Sequence, residues 1–496
     1  MTDIAAELWP DEAVEAIHET SLAVLERVGV KVESPEARQI MVAGGATEGE
    51  NGRLRLPRGA VMERVAACLP QFTLVARDTS RSIPVDAAPA ATYVHNMGGA
   101  RDMVDPRTGT ARRATVADQV RLTRVMHHMA NLHSVTSLVQ PDDVPHPLEP
   151  LYSYLVLAHE TDKPLGGPGI SFPFQAEALR RMAQALTGAD GTGDRFPIDL
   201  AFSPVSPLTL GAEVTDAMIE TVRRGGVAVE ILPCPAAGTT APGSMAGAIA
   251  TQNAEVLAGL FLVQAVNPGT ALYYGPRLSS INPRSGLVTS GPPETGVASV
   301  AATLLARRYG LACDCYGPTS DSVTVDTQFG MEHMANAIVG MAASPRFLSG
   351  PGENQGGNGG SLEALVIDDE VLNYAFYART PRPWTHAALD VDAIAEGLES
   401  GFGFLGTTHT RTWLKADFVR PTLAWRGSMG DWVASGRTGL VDLASEKAAA
   451  YVARPPVGMP DGVADELCRT IDDVAATLGI TDHPDPRRVL EAAATA

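Results

Sequence analysis

Cysteine is scarce in this sequence: five residues in 496, at positions 68, 234, 313, 315 and 468. An odd, scattered set builds no disulfide framework and suits a reducing compartment. Basic residues are also in deficit, 38 Lys and Arg against 57 Asp and Glu, for a net charge of −19. So acidic a chain repels phosphate backbones, and no Lys/Arg stripe with interleaved aromatics offsets the repulsion, so no nucleic-acid partner is expected. A basic partner or a cationic ligand suits it better. No run of about 18 apolar, uncharged residues occurs, so no membrane span is expected. The opening MTDIAAELWPDEA lacks the basic and apolar regions of a secretory signal, and the expected location is cytoplasmic. Neither a P-loop nor a GxSxG turn is present. GFGFLG (401–406) matches GxGxxG in letters only, because no strand–turn–helix unit surrounds it.

What is abundant is apolar. Such residues make up 45% of the chain against 19% charged, enough for a large buried core. Residues 11–29 carry a helical apolar stripe stopped by Gly29, and FTLVARD with SIPVD reads as a small antiparallel pair. This segment, 1–92, is expected to be an α+β appendage. From residue 93 a regular pattern sets in: a short apolar run ends in a Gly/Pro/Ser/Asn cluster, and an amphipathic helix follows. The runs fall at 92–99, 134–143, 163–171, 198–207, 227–236, 271–280, 313–322 and 346–358. The helices fall near 115–131, 147–161, 175–187, 213–224, 244–266, 294–310, 328–343 and 361–378. Alternation at this spacing implies parallel strands, and eight such units predict an α/β fold, an eight-stranded (β/α)8 TIM barrel over 93–378. The rival, an open doubly wound sheet, would show a phosphate-binding turn after its first strand, and HNMGGARD is a poor one. Residues 379–496 contain no further units and read as a helical extension packed on the barrel or on another subunit.

Barrel enzymes place their chemistry at strand C-termini and the loops that follow. Those positions hold His95, Asn96, Asp142, Asp143, Ser203, Ser206, Glu230, Tyr273, Tyr274, Arg277, Ser320, Asp321, Glu353, Asn354 and Gln355. Glu230 stands out because it interrupts VAVEILP, where a charge is costly unless paired or functional. Asp321 serves equally well as a cap or turn residue. Cys313 and Cys315 share one face of the seventh strand. Two inward thiolates can begin a zinc site, but no further ligands follow at zinc-like spacing, so small core residues is the simpler reading and no metal is expected. His127 and His128 are helix neighbours that face apart.

Several long segments bear a resemblance that spans nearly the whole chain. They are IHETSLAVLERVGVKVES (17–34), FTLVARD (72–78), DMVDPRTGTARRATVADQVRLTRV (102–125), GPTSDSVTVDTQ (317–328), SLEALVIDDEVL (361–372) and FGFLGTTHTRTWLKADFVRP (402–421). Through them the chain resembles the trimethylamine methyltransferase family, corrinoid-dependent demethylases of methylated amines. The family's trimethylamine enzymes carry pyrrolysine near the eighth strand. Counting back from VIDD (366–369), the equivalent place is close to Gln355, and no unusual residue stands there. The resemblance therefore implies the branch without pyrrolysine, whose substrates are quaternary amines such as betaines. It also implies a cobalt(I) corrinoid as nucleophile.

Such a reaction asks the protein for positioning and a cation-binding mouth rather than for an acid or a metal. From strand position and the implied chemistry, the candidate catalytic residues are Glu230, Asp321, Glu353 and Gln355. The candidate substrate-binding residues are His95, Asn96, Phe202, Tyr273, Tyr274, Arg277 and Asn354, with Tyr93 as a further aromatic face. No D-x-H-x-x-G segment of the kind corrinoid carriers use is present, so the corrinoid is expected on a separate protein that docks over the mouth. Apolar helices outside the barrel suggest a homo-oligomer. Two rival functions remain open: a barrel lyase or hydrolase using acid/base chemistry or zinc at Cys313 and Cys315, and a non-catalytic betaine-binding homologue.

Overall fold

The computed structural model describes residues 4–88, 91–382 and 384–495. Seven parallel strands form one curled sheet: β1 (Tyr93–His95), β2 (Gly166–Gly169), β3 (Asp199–Phe202), β4 (Ala228–Ile231), β5 (Leu272–Tyr274), β6 (Ala312–Tyr316) and β7 (Phe347–Ser349). Their order is β2-β3-β4-β5-β6-β7-β1, so the last strand returns to the first. The run at 134–143, expected as a strand, makes no extended ladder. It contributes single parallel bridges from Ser134 to His95, Val135 to Leu165 and Val139 to Ala100. Asn96 is the reason. Its Oδ1 accepts the Thr136 N–H at 3.0 Å and its Nδ2 donates to the Thr136 carbonyl at 2.9 Å. A side chain thus takes the bonds that a neighbouring strand's backbone would otherwise make.

The eight predicted helices are all present, with ends shifted by a few residues. They are α1 (Val116–His128), α2 (Glu149–Glu160), α3 (Pro173–Thr187), α4 (Ala212–Arg224), α5 (Met245–Val266), α6 (Glu294–Arg308), α7 (Thr327–Gly340) and α8 (Leu362–Arg379). Local chemistry fixes their starts. Thr115 and Asp118 form a reciprocal capping box on α1, and Ser361 Oγ accepts the Ala364 N–H at 3.0 Å to cap α8. Helix α5 is apolar on all sides and long enough to cross a membrane, yet most of it is buried inside the protein. It is sandwiched between the sheet and the N-terminal helix Asp11–Arg27, which explains the missing polar face. A Cβ at Gly259 would stand 2.8 Å from Ile231 Cγ2, so only glycine permits this approach of helix to strand.

The N-terminal segment is woven into this frame. Val30–Val32 pairs in parallel with Thr209–Leu210 and antiparallel with Arg53–Arg55. Gln71–Leu74 pairs antiparallel with Ile83–Asp86, as the sequence pattern predicts, and in parallel with Arg195–Phe196. The second sheet closes the N-terminal end of the parallel strands. Phe72, Leu74, Ile83, Val85 and Phe196 pack there against Ala228, Ala271, Ala312, Tyr273 and Phe347. Gly29 ends the first long helix with φ +78°, and a Cβ there would meet the Leu54 carbonyl oxygen at 2.3 Å. Beyond residue 379 the described residues are helical and contain no strand. Leu440–Val452 packs on α8 and α1, and Val463–Leu478 on α3. The buried Arg124–Glu160 ion pair (2.8 Å) holds this end, because the same guanidinium donates to the Ala493 carbonyl at 2.6 Å.

Candidate functional site

A cavity of about 330 Å³ lies inside the curled sheet, and the alternation of strand side chains decides what lines it. Asp199 and Ala201 of β3 face in, while Phe202 packs in the core outside. Glu230 of β4, Tyr273 of β5, Asp314 and Tyr316 of β6, Phe347 and Ser349 of β7, and His95 of β1 also line the cavity. Strand register sets Glu230 beside Ala201 on one side and Tyr273 on the other. Arg277, three residues past β5, reaches back over this ring.

The charges are tightly organised. Arg277 Nη2 lies 3.0 Å from Asp314 Oδ2 and 3.4 Å from Glu230 Oε1. Its Nη1 donates to the Asp314 carbonyl at 2.5 Å, and the guanidinium sits 5.5 Å from the Tyr316 ring centre. His95 Nδ1 is 2.9 Å from the Asn96 carbonyl and Nε2 is 2.9 Å from Asp314 Oδ2. Both ring nitrogens face acceptors, so both carry protons and the ring is an imidazolium. Burial opposes that charge, but the Asp314 carboxylate outweighs it and raises the His95 pKa. Burial also pushes Asp314 up, yet Arg277 and His95 together hold it well below the ordinary carboxylate value. Glu230 is raised, by burial first and then by the Asp314 charge.

Asp199 is the unpaired member. Among the described residues no other residue donates a hydrogen bond to its carboxylate, and burial pushes its pKa up to about 7 while His95 pulls it down. Glu149, at the start of α2, accepts from Ser153 Oγ at 2.7 Å and is pushed up to about 7 by burial. The Tyr273 hydroxyl is buried without a hydrogen-bond partner among the described residues. Four carboxylates therefore meet two fixed cations in one small space, and only one carboxylate lacks a protein partner.

Of the residues expected at the site, His95, Ser203, Glu230, Tyr273 and Arg277 line this cavity. The others lie elsewhere. Tyr274 faces out of the sheet and donates to Asn253 Oδ1 on α5 at 2.8 Å. Phe202 points the same way as Leu200, into the helix layer. Asn96 is consumed by Thr136, and Tyr93 packs below the cavity beneath Arg346. Asp143 accepts the Val116 N–H at 2.9 Å and Ser206 donates to Glu255 at 2.8 Å. Asp321 accepts from the Ser290 N–H at 3.0 Å, as a turn residue does. Glu353 is fully buried and accepts from the Ser320 and Gly357 N–H groups at 2.6 Å each. Asn354 is buried beside Gly359, and Gln355 sits at φ +54° with its N–H on the Ser322 carbonyl. These four brace the loops after β6 and β7 rather than the cavity wall. Arg277, expected to take a substrate carboxylate, is already held by Asp314 and Glu230.

Cys313 and Cys315 do share one face, but it is the outer one. Cys315 Sγ lies 3.8 Å from Thr303 Oγ1 on α6, and neither thiol belongs to a group of three metal-ligating side chains among the described residues. The residue between them, Asp314, is the one that faces the cavity. Asp314 and Asp199 carried the signal that singled out Glu230, a lone carboxylate inside an apolar run, and the same reading finds all three. Glu149 gave none, because it enters from a helix start.

The chain matches the family model described as trimethylamine methyltransferase over residues 2–477. It is 27% identical to the glycine betaine methyltransferase of Desulfitobacterium hafniense (strain Y51) over 424 residues, 85% of this chain and 87% of that one. It is 27% identical to the trimethylamine methyltransferase MttB of Methanosarcina thermophila over 461 residues, 90% of this chain and 93% of that one. A match over nearly the full length of the chain and of its relatives defines a methyltransferase. The chain belongs to the trimethylamine methyltransferase family, in its branch without pyrrolysine: every residue of the sequence is a standard one.

Proposed function

We propose that this protein moves a methyl group from a quaternary amine of the betaine type to the cobalt(I) corrinoid of a separate, cytoplasmic corrinoid protein. The observation that carries the reading is Asp199: a cavity carboxylate with no protein donor, among carboxylates that outnumber the cations. A quaternary ammonium ion donates no hydrogen bond, so it needs charge and aromatic faces rather than acceptors in fixed directions. Asp199 supplies the charge, and Tyr273, Tyr316 and Phe347 supply the faces. Burial raises Asp199 and Glu149 to about 7, so near neutral pH each is partly protonated before a ligand binds, and an entering cation favours release of those protons.

The corrinoid supplies the nucleophile that accepts the methyl group. The cavity, at about 330 Å³, suits a small methylated ammonium and is too small for a corrin macrocycle besides, which supports delivery at the mouth by another protein. The chain's own residues hold the nitrogen, orient one methyl toward the opening and exclude water. The carbon–nitrogen bond breaks with its electrons left on nitrogen, so the product is a neutral tertiary amine and no proton is required. The bridges at Ser134 and Val135, which join β1 to the segment before β2, support counting the curled sheet as a closed eight-stranded barrel.

The test reduces a corrinoid protein to cobalt(I), adds this chain and a panel of betaines, choline, carnitine and methylamines, and follows the cobalt absorbance. A methyl-dependent change with a quaternary amine is expected. Silence across the panel sinks the reading. A second reading, a lyase or hydrolase, draws on the imidazolium His95 and the near-neutral Asp199, which suit proton transfer. It predicts turnover with no corrinoid protein present.

A further inference from the structure

One side of the cavity is charged and aromatic, and the other is almost bare. The bare side is built from Gly98 and Gly99 just past β1, from Gly166, Gly167 and Gly169 of β2, and from Ala201 of β3. Strand register sets Gly166 beside Asp199 and Gly169 beside Ala201, so both glycines turn toward the space that those two residues face. A glycine inside a strand weakens it, and one persists where a backbone or a ligand must come close.

Packing and backbone conformation account for three of these five glycines. A Cβ at Gly167 would stand 2.3 Å from the Asp199 carbonyl oxygen, and one at Gly98 would stand 3.2 Å from Thr136 Cγ2. Gly99 has φ +83°. Gly166 and Gly169 have no such reason. A Cβ at Gly166 would make ordinary contacts, 3.5 Å from Thr136 Cβ and 3.7 Å from Asp199 Oδ1, and one at Gly169 would meet nothing within 4 Å among the described residues. Neither residue has a left-handed φ, so the register shift between β2 and β3 does not require glycine at either place. On the opposite wall the Tyr273 hydroxyl and Asp314 Oδ1 are buried with no hydrogen-bond partner among the described residues. Polar atoms left open on one wall, facing a wall without side chains, mark the seat of a bound molecule. Ser203, next along the inner face of β3, and Gln140 stand at the outer end of the bare wall.

We infer that Gly166 and Gly169 keep room for the arm of the amine, the one substituent on nitrogen that is not a methyl, and that this wall sets how long an arm the protein accepts. This assignment rests on the proposed reading of the cavity as a quaternary-amine site. Arg277 is held by Asp314 and Glu230, so the polar end of the arm lies toward Ser203 and Gln140 instead. The test is calorimetry of the full chain with tetramethylammonium, which has no arm, and with carnitine, which has a long one; the wild type is expected to bind both. Through Gly169→Ala and then Gly169→Val, carnitine affinity is expected to fall stepwise, by more than about tenfold for valine, while tetramethylammonium affinity changes less than about twofold. Both variants are expected to melt at or above the wild-type temperature, since each removes a glycine from a strand. A wild type that binds neither amine overturns the reading of the cavity, and the arm subsite with it. A wild type that binds tetramethylammonium but rejects carnitine, or variants that weaken both amines alike or neither, overturn the arm subsite alone. A lower melting temperature for Gly169→Ala overturns the premise that the fold itself does not need glycine there.

Discussion

His95 Nε2 and Asp314 Oδ2 stand 2.9 Å apart across the cavity, although 219 residues separate them in the chain. The contact joins the first strand of the sheet to the sixth and places a charged histidine beside a carboxylate already bound to Arg277. Replacing Asp314 by Asn leaves both cations short of a partner. The expected cost is about 3–5 kcal/mol of stability, read by denaturant unfolding. The His95 ring, whose pKa Asp314 now raises, is expected to titrate below its wild-type value by NMR. An unchanged His95 titration would show that the pair is not formed in solution.

Asp199 is expected to set affinity for the cation. Asp199→Asn should weaken binding by about tenfold or more, equivalent to about 1.4 kcal/mol, with little effect on folding. Because burial places this carboxylate near pH 7, wild-type affinity should rise as pH increases through about 7, and the Asn variant should lose that slope. Calorimetry in two buffers of different ionisation heat would detect the protons released on binding. Equal affinity for wild type and variant would remove Asp199 from the site.

Stability should follow the same groups with the opposite sign. Burial raises Asp199, Glu149 and Glu255 to about 7 and Glu353 to about 8, against roughly 4 for unfolded carboxylates. A proton bound more tightly in the folded state stabilises it fully below about pH 4, and that contribution is lost as pH climbs through 7 to 8. The melting temperature is therefore expected to fall between about pH 4 and pH 8. Glu353→Gln, far from the cavity, should flatten part of that fall. A melting temperature that rises across this window contradicts the assignment.

Lys163 is a structural cation. Its ammonium donates to the carbonyls of Met126, Met129 and Leu132 at 2.8, 2.8 and 2.6 Å, closing the end of α1. Lys163→Met keeps the stem but strands three buried carbonyls, for an expected loss of about 3 kcal/mol or more. Thermal melting measures it, and kcat for any methyl transfer should be unaffected at low temperature.

Most of the frame was legible because helices and strands have different periods. All eight helices fell where the apolar runs placed them, most by burying one stripe against the sheet and α5 by being covered on both sides. The second strand did not form a ladder, because Asn96 competes for the backbone bonds of Thr136, and no propensity rule sees a side chain that arrives from 40 residues away. The site was half legible. Glu230 betrayed itself as a charge inside an apolar run. Phe202 and Tyr274 lay one residue off the correct parity, and a single residue decides which side of a strand a side chain takes. Asp321, Glu353, Asn354 and Gln355 sit in loops after strand ends, where neither parity nor propensity says whether a polar group turns toward the cavity or ties the loop to itself.

The small sheet that packs beneath the parallel strands makes the cavity a cul-de-sac. Leu74 is part of its lining, and the aromatic rings of Phe72, Tyr273 and Phe347 stand together behind it. A cavity blocked at that end is left to open toward the C-terminal ends of the strands. On the proposed reaction, the amine, its demethylated product and the visiting protein would all have to share that opening in turn. Turnover would then be a matter of traffic: the visitor docked at the doorway would trap the spent amine until it leaves.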